Sequence, residues 1–224
     1  AYLLGEMERD RLYLRPESYY FDQNITLRLG APVDGIDPQA HTVTVGGECL
    51  TYDDLVLTTG STPRRLPAAI GGDLKGVMVV RGLADVDAMA PSFAKGARVL
   101  IVGGGYIGLE AAAVAAKRGL QVTLVEMADR ILQRVAARET SDYFRAIHTA
   151  HGVTIREGVG LDHLTGMDGA VTGAVLSDGS TLDVDFVIVG VGITPNTALA
   201  ETAGLALENG IKTDAQGRTS DPHI

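Results

Sequence analysis

Val99-Leu-Ile-Val-Gly-Gly-Gly-Tyr-Ile-Gly-Leu-Glu110 joins a continuous apolar run to three spaced glycines and then to an alanine-rich stretch. About 20 residues beyond the glycines, a second apolar run, Val122 to Val125, ends on an acid, Glu126, which is the spacing of a dinucleotide-binding strand–turn–helix–strand unit. A lone G-x-G-x-x-G carries little weight. Here the flanking strand, the helix and the distant acid all agree with it.

Each residue of the run has a physical task. Val99 to Val102 reads as a strand buried on both faces, as a parallel sheet requires. Gly103 permits a tight turn, Gly105 lets backbone approach a pyrophosphate, and Gly108 lets the helix lie close on the strand. The first helical amides then offer unpaired N–H groups and a positive dipole end to phosphate. Ala111, Ala112, Ala113, Ala115 and Ala116 keep the helix slim, and Gly119 reads as its stop. Glu126 is placed to accept both hydroxyl hydrogens of an adenosine ribose and would repel a 2′-phosphate, so NAD(H) is expected rather than NADP(H).

Composition narrows the function class. The chain has 224 residues, 46% of them hydrophobic, which is ample for a packed core. A net charge of −9 argues against a nucleic-acid or anionic-membrane surface. The only cysteine, Cys49, sits in a predicted hairpin strand where a plain packing role is expected. With no disulfide framework, a reducing compartment and a cytoplasmic location are expected. The five histidines show no metal-ligand spacing, so no metal site is expected. No stretch has the length and apolarity of a membrane span.

The sequence contains a weak internal repeat. Ile25-Thr-Leu-Arg-Leu-Gly-Ala-Pro-Val-Asp34 matches Val153-Thr-Ile-Arg-Glu-Gly-Val-Gly-Leu-Asp162, each reading as a short strand, a glycine and a second strand. Asp54-Leu-Val-Leu-Thr-Thr-Gly-Ser-Thr-Pro63 matches Asp185-Phe-Val-Ile-Val-Gly-Val-Gly-Ile-Thr-Pro195 with one inserted residue. Hairpin signals lie between the paired segments, Gly46-Gly47 in the first copy and Asp178-Gly179 in the second. Two units of like design therefore stand in tandem. The second copy is preceded by the glycine fingerprint; the corresponding place for the first lies upstream of Ala1, so the chain is read as a piece of something longer. The expected fold class is α/β, with Rossmann-like dinucleotide-binding domains. Residues 1–76 are expected to be a partial flavin-type domain, 77–196 a complete NAD(H)-binding domain, and 197–224 a segment returning toward the first. Within that map Glu8 to Arg15 reads as a short charged helix or turn, and Arg138 to His151 as the helix before the Val153 strand.

These residues resemble the pyridine nucleotide–disulfide oxidoreductase superfamily, and within it the ferredoxin, rubredoxin and putidaredoxin reductases. The carrying segments are Ala1-Tyr-Leu-Leu-Gly-Glu6, Tyr52-Asp-Asp-Leu-Val-Leu-Thr-Thr-Gly-Ser-Thr-Pro-Arg64, the Gly103 fingerprint, Val189-Gly-Val-Gly-Ile-Thr-Pro-Asn196 and Thr219-Ser-Asp-Pro-His-Ile224. The resemblance implies an NADH-dependent FAD enzyme that passes electrons to a ferredoxin or similar small redox protein. A disulfide reductase, an NADH oxidase, a nitrite-reductase-associated subunit and a non-catalytic NAD(H)-binding module are the alternatives.

The resemblance also assigns residues. Gly103, Gly104, Gly105 and Gly108 would cradle the NAD diphosphate, Gly190, Val191 and Gly192 would lie beside the diphosphate and nicotinamide, and Tyr106 with Ile107 would flank the place where nicotinamide and flavin stack. Glu110, an acid early in its helix, would stand near the point where nicotinamide and flavin stack. Glu126 and Arg134 would serve the adenosine end. Val33, Thr59, Gly60 and Arg64 would touch FAD. Residues 1–224 hold neither a flavin fingerprint nor the Gly-Asp segment that follows Asp-Pro-His-Ile in such proteins, so flavin binding is expected of the intact protein rather than of this piece, which is expected to be inactive alone.

Overall fold

The structure is a computed structural model describing every residue from Ala1 to Ile224. The chain forms two compact units, one of Ala1–Arg9 with Pro63–Ile193, the other of Asp10–Thr62 with Thr194–Ile224.

In the smaller unit a helix α1 (Glu17–Asp22) begins after Pro16 and precedes an antiparallel meander of β1 (Val33–Asp37), β2 (Thr42–Val45) and β3 (Glu48–Thr51). Gly46 and Gly47 both take positive φ, +56° and +83°, between the paired residues Val45 and Glu48. That is the two-residue turn the sequence signals. The charged stretch before α1 is a short 3-10 turn over Arg9–Leu12. Cys49 on β3 is exposed, so the packing role expected of it does not hold.

Two predicted strands of the first copy do not form. Ile25 to Leu29 and Asp54 to Thr58 are irregular, and Leu29 and Val56 are 85% and 81% exposed. The cause is the lack of a neighbour. A strand is stable only when its N–H and C=O groups are paired across a sheet, and nothing in this unit supplies a parallel partner. The Leu55 N–H donates instead to the His223 carbonyl at 2.8 Å. A bidentate ion pair between Arg28 and Glu48, at 2.6 and 3.2 Å, fastens the other segment to β3. A short β4 (Ser61–Pro63) ends this stretch.

The larger unit is the complete copy. Its elements run β5 (Val77–Val79), α2 (Leu83–Met89), β6 (Arg98–Val102), α3 (Tyr106–Lys117), β7 (Gln121–Glu126), α4 (Arg138–Ala150) and β8 (Val153–Glu157). A meander of β9 (Leu161–Met167), β10 (Ala170–Leu176) and β11 (Thr181–Asp183) follows, and then β12 (Phe186–Val189). Five strands make one parallel sheet in the order β5-β12-β6-β7-β8. A short β13 (Ile193–Pro195) pairs with β4, and α5 (Ala198–Thr202) belongs to the smaller unit.

Side-chain alternation divides this sheet into two cores. Val99, Ile101, Val122, Leu124, Phe186 and Ile188 face the helices, where Leu109, Ala112 and Ala115 of α3 meet them. Leu100, Val102, Val125, Val187 and Val189 face the meander, against Leu164, Val171, Ala174 and Leu176. Both faces are covered, which is why β6 and β12 read as unbroken apolar runs rather than alternating ones. Ala112 and Ala115 are fully buried; a larger side chain at either would push α3 off the sheet. Helix α3 stops at Gly119, in the left-handed region at φ +79°. His148 on α4 is buried, with ring nitrogens 2.9 Å from the Phe144 carbonyl and 3.0 Å from the Leu109 carbonyl, and so ties α4 to α3.

The end of the sheet away from the glycines, where β6 and β12 begin, is held by charge. Asp185 accepts from the Arg98 backbone N–H and from its guanidinium, both at 2.7 Å, and these bonds hold its carboxyl below the usual carboxylate range. The folded value lies below the unfolded one. The stabilisation is therefore complete above the unfolded pKa of ~4 and is lost as pH falls through the folded value. Asp185→Asn should cost about 1 kcal/mol at neutral pH, a charged hydrogen bond discounted for solvent screening, at a side chain 45% exposed. Denaturant titrations at pH 7 and pH 3 check this: the gap between the two proteins should shrink at the lower pH.

Candidate nucleotide-binding site

The strand order places a topological switch at β6. The chain leaves β6 for β7 and β8 on one side and later returns to β12 on the other. Ligands of open α/β sheets enter the crevice outside the carboxyl ends of the strands at such a point. Gly103 follows β6 and Gly190 follows β12 directly, and the Gly190 N–H donates to the Val102 carbonyl at 2.8 Å.

Three of the four glycines there are needed by the fold, and one is not. Gly103 lies at φ +110°, and an added Cβ would sit 2.5 Å from the Gly190 carbonyl oxygen. A Cβ on Gly108 would lie 2.0 Å from the Gly103 carbonyl oxygen, and one on Gly104 2.7 Å from Cγ2 of Ile131. Around Gly105 an added Cβ would meet nothing within 4 Å. Gly105 is also the N-cap of α3, in extended geometry, and no side chain caps the helix. The opening amides of α3 therefore face open space with no intrahelical acceptor. Unpaired amides at a helix N-terminus have the polarity that favours a diphosphate.

Glu126 closes the far side. It ends β7, partly buried, and its Oε2 accepts the Gly104 N–H at 2.7 Å while its Oε1 accepts the Ala128 N–H at 2.8 Å. Each carboxylate oxygen keeps a second lone pair, so Glu126 retains acceptor capacity beyond these two bonds. The sequence assigns Glu126 to the ribose alone; the structure adds that the same carboxylate fixes the glycine turn.

Tyr106 and Ile107, on the first turn of α3, are 57% and 43% exposed, and Val191 after β12 is 37% exposed. Gly192 takes φ +104°, and its carbonyl accepts the Arg64 backbone N–H at 3.0 Å. Glu110 is exposed and is the fifth residue of α3, so it lies in the second turn rather than the first. The helix dipole gives it little support there. Arg134 is exposed and its side chain has no polar partner; the side chain of Arg64 is likewise exposed and unpartnered.

In the other unit Val33 stands opposite Val45. Thr59 donates its hydroxyl to the Asn196 carbonyl at 2.7 Å and accepts at its own carbonyl from Asn196 Nδ2 at 2.9 Å. The Asn196 N–H reaches the Gly60 carbonyl at 3.0 Å. Asn196 is thus the residue that shapes the Thr59–Gly60 turn, a role the sequence shows only by the position of Asn196 after Thr194-Pro195. The larger unit gathers Gly103 to Gly108, Glu126 and Gly190 into one site, whereas Val33, Thr59 and Gly60 belong to the smaller unit. No second glycine turn stands among residues 1–224 to cradle a flavin diphosphate.

The family model for pyridine nucleotide-disulphide oxidoreductases matches residues 3–224. The chain belongs to that family. Among family members it is 43% identical over 224 residues to the ferredoxin–NAD(P)(+) reductase fdr of a Sphingomonas species, covering 100% of this chain and 54% of that protein. The crystal structure of the covalent putidaredoxin reductase–putidaredoxin complex superposes with a TM-score of 0.94 at 39% identity, over 100% of this chain and 55% of that one. The water-forming NADH oxidase of Lactobacillus brevis bound to NADH superposes at 0.86 with 26% identity, over 100% and 51%. The chain spans about half the length of the curated relatives it matches. No helix in it is long and apolar enough to cross a membrane.

The glycines give a test that separates fold from ligand. Gly105→Ala should leave the melting temperature unchanged and weaken NADH binding by about tenfold or more, because its methyl enters only the space a diphosphate would fill. Gly108→Ala should cost about 3 kcal/mol or more of stability through its clash with backbone. Thermal melts paired with NADH fluorescence titrations read both.

Proposed function

We propose that this chain is the NAD(H)-binding part, with a portion of the FAD-binding part, of a cytoplasmic NADH-dependent flavoprotein reductase that serves a ferredoxin- or rubredoxin-type redox protein. On this reading residues 77–196 hold the nicotinamide nucleotide, while residues 1–76 and 197–224 contribute to the flavin side. The carrying observation is the open cradle at Gly105 flanked by the Glu126 carboxylate. Similarity to a ferredoxin reductase and to a putidaredoxin reductase supports the choice of acceptor.

The residues divide the work by chemistry. The amides of Gly105, Tyr106 and Ile107 bind the diphosphate. The remaining lone pairs of Glu126 orient the adenosine ribose through its diol, and its negative charge turns away a 2′-phosphate. Arg134 reaches toward the adenosine end. Gly190, Val191 and Gly192 leave room for the nicotinamide half, and Tyr106 with Ile107 keep water from it. Val33, Thr59, Gly60 and Arg64 are the flavin contacts, and Glu110 is the acid nearest the reacting rings. In the intact protein a flavin beside Val33, Thr59, Gly60 and Arg64 would supply two-electron to one-electron redox chemistry between the nicotinamide and the partner protein. The protein supplies position and exclusion of solvent rather than a nucleophile.

The nucleotide assignment is tested at the acid. Glu126→Arg should weaken NADH binding about 10- to 100-fold, the worth of one or two charged hydrogen bonds, and should reverse the preference against NADPH. Unchanged affinity for both nucleotides would remove Glu126 from the ribose. The acceptor is tested on the intact protein. Cytochrome reduction through added ferredoxin should fall as salt rises, since docking of small redox proteins is steered by charge. A rate independent of salt would argue against an acidic redox partner.

A further inference from the structure

The loop that leaves β7, residues 127–137, has no regular structure, yet its backbone is tightly held. Ile131 is fixed at both ends of its backbone: its N–H donates to Oε1 of Glu157 at 2.7 Å, and its carbonyl accepts the Ser141 hydroxyl at 2.6 Å. Leu132, in the left-handed region at φ +55°, then points its N–H at the Gly104 carbonyl, 2.9 Å away. A leucine seldom adopts that conformation unless its surroundings enforce it.

Arg130 enforces it. Its guanidinium donates to the Ser141 hydroxyl at 2.6 Å and to the Ala136 carbonyl at 2.9 Å, with longer bonds to the Gln133 and Ala137 carbonyls at 3.3 and 3.4 Å. Ser141 is fully buried, so it passes the restraint directly from Arg130 to Ile131. On the other side of the loop, Glu157 is held by Arg145 Nε at 2.8 Å, and Glu157 with Asp142 keeps that guanidinium protonated well above its ordinary range. Gly104 is pinned on both sides, its N–H by Glu126 and its C=O, in the Gly104–Gly105 peptide, by Leu132. Gly105 and the unpaired amides of α3 come next in the chain.

We propose that Arg130 is a positioning residue for nucleotide binding. Through Ser141 and the Ile131–Leu132 backbone it sets the Gly104 peptide, and so aims the α3 amides at the diphosphate before the nucleotide arrives. Its guanidinium is spent on oxygens of its own loop and α4, so it acts through geometry rather than as a cation for a 2′-phosphate. A planar fork with several donors does this; a single ammonium cannot. The inference rests on the nucleotide reading of the glycine turn.

The test uses the 224-residue chain with Arg130→Ala, Arg130→Lys and Ser141→Ala, the last as the milder lesion should the first fail to fold. NADH and NADPH affinities are measured by fluorescence titration, and backbone hydrogen exchange is followed across residues 103–109 and 127–137. Arg130→Ala should weaken NADH binding about tenfold, leave the NADH-to-NADPH ratio unchanged and speed exchange in both segments. Arg130→Lys should fail to rescue, and Ser141→Ala should shift both readouts the same way by less. Rescue by lysine, or a changed ratio, would overturn the proposal in favour of direct charge recognition. Faster exchange with unchanged affinity would overturn it as well. Wild-type chain that binds neither nucleotide would instead overturn the site reading, an outcome visible before any variant is compared.

Discussion

The contact between Gly108 and the carbonyl of Gly103 sets the terms for the rest of the larger unit. No side-chain atom fits between them, so helix α3 rests directly on the turn that ends β6. That closeness fixes where α3 begins and aligns its axis on the end of the strand. It also brings β12 in beside β6, with Gly190 against the Gly103 position. Had either glycine been an alanine, the helix would have to lift away, and its opening amides would no longer converge on one point. The apolar layers behind the turn, with Ala112 and Ala115 fully buried, hold the helix to this position rather than choose it.

Polar bonds then convert a close approach into a defined shape. Glu126, Leu132 and, at one remove, Glu157, Arg130 and Ser141 all act on a few peptide groups beside the turn. Hydrogen bonds to charged groups in a partly buried setting are among the strong ones. A site built this way pays little ordering entropy when a ligand enters, because its donors are already in place. The carboxylate at Glu126 holds the turn with one acceptor pair on each oxygen and keeps the others free.

Most of the larger unit is legible in the sequence, and the reasons are local. Val99 to Val102 and Phe186 to Val189 announce strands covered on both faces, and the glycine spacing, Gly119 and Asp178-Gly179 announce turns whose geometry only glycine or its neighbours allow. What the sequence conceals is set by distant partners. Ile25 to Leu29 and Asp54 to Thr58 resemble true strands of the second copy in pattern, yet they stay irregular because strand formation depends on a neighbour and not on the segment alone. The matched aspartates show the same effect: Asp185 is seized by Arg98, whereas Asp54 has only His223 nearby at 3.6 Å. Beside the site, Arg130 and Ser141 are not legible from any spacing, since each acts on backbone oxygens outside the glycine motif. Glu157 closes β8 in register with Glu126 on β7, a second acid at the same end of the sheet, and is the one residue of this network that the sequence pattern marks.

The single thiol of the chain has a practical corollary. Cys49 lies on the outer strand of the β1–β3 meander, exposed, in the unit that does not contain the glycine turn. A dye or spin label placed there would be unique by construction, with no background sites to remove. It would leave Gly103 to Gly108 and Glu126 chemically untouched and so turn the smaller unit into a spectroscopic reference point for following whatever the larger one does.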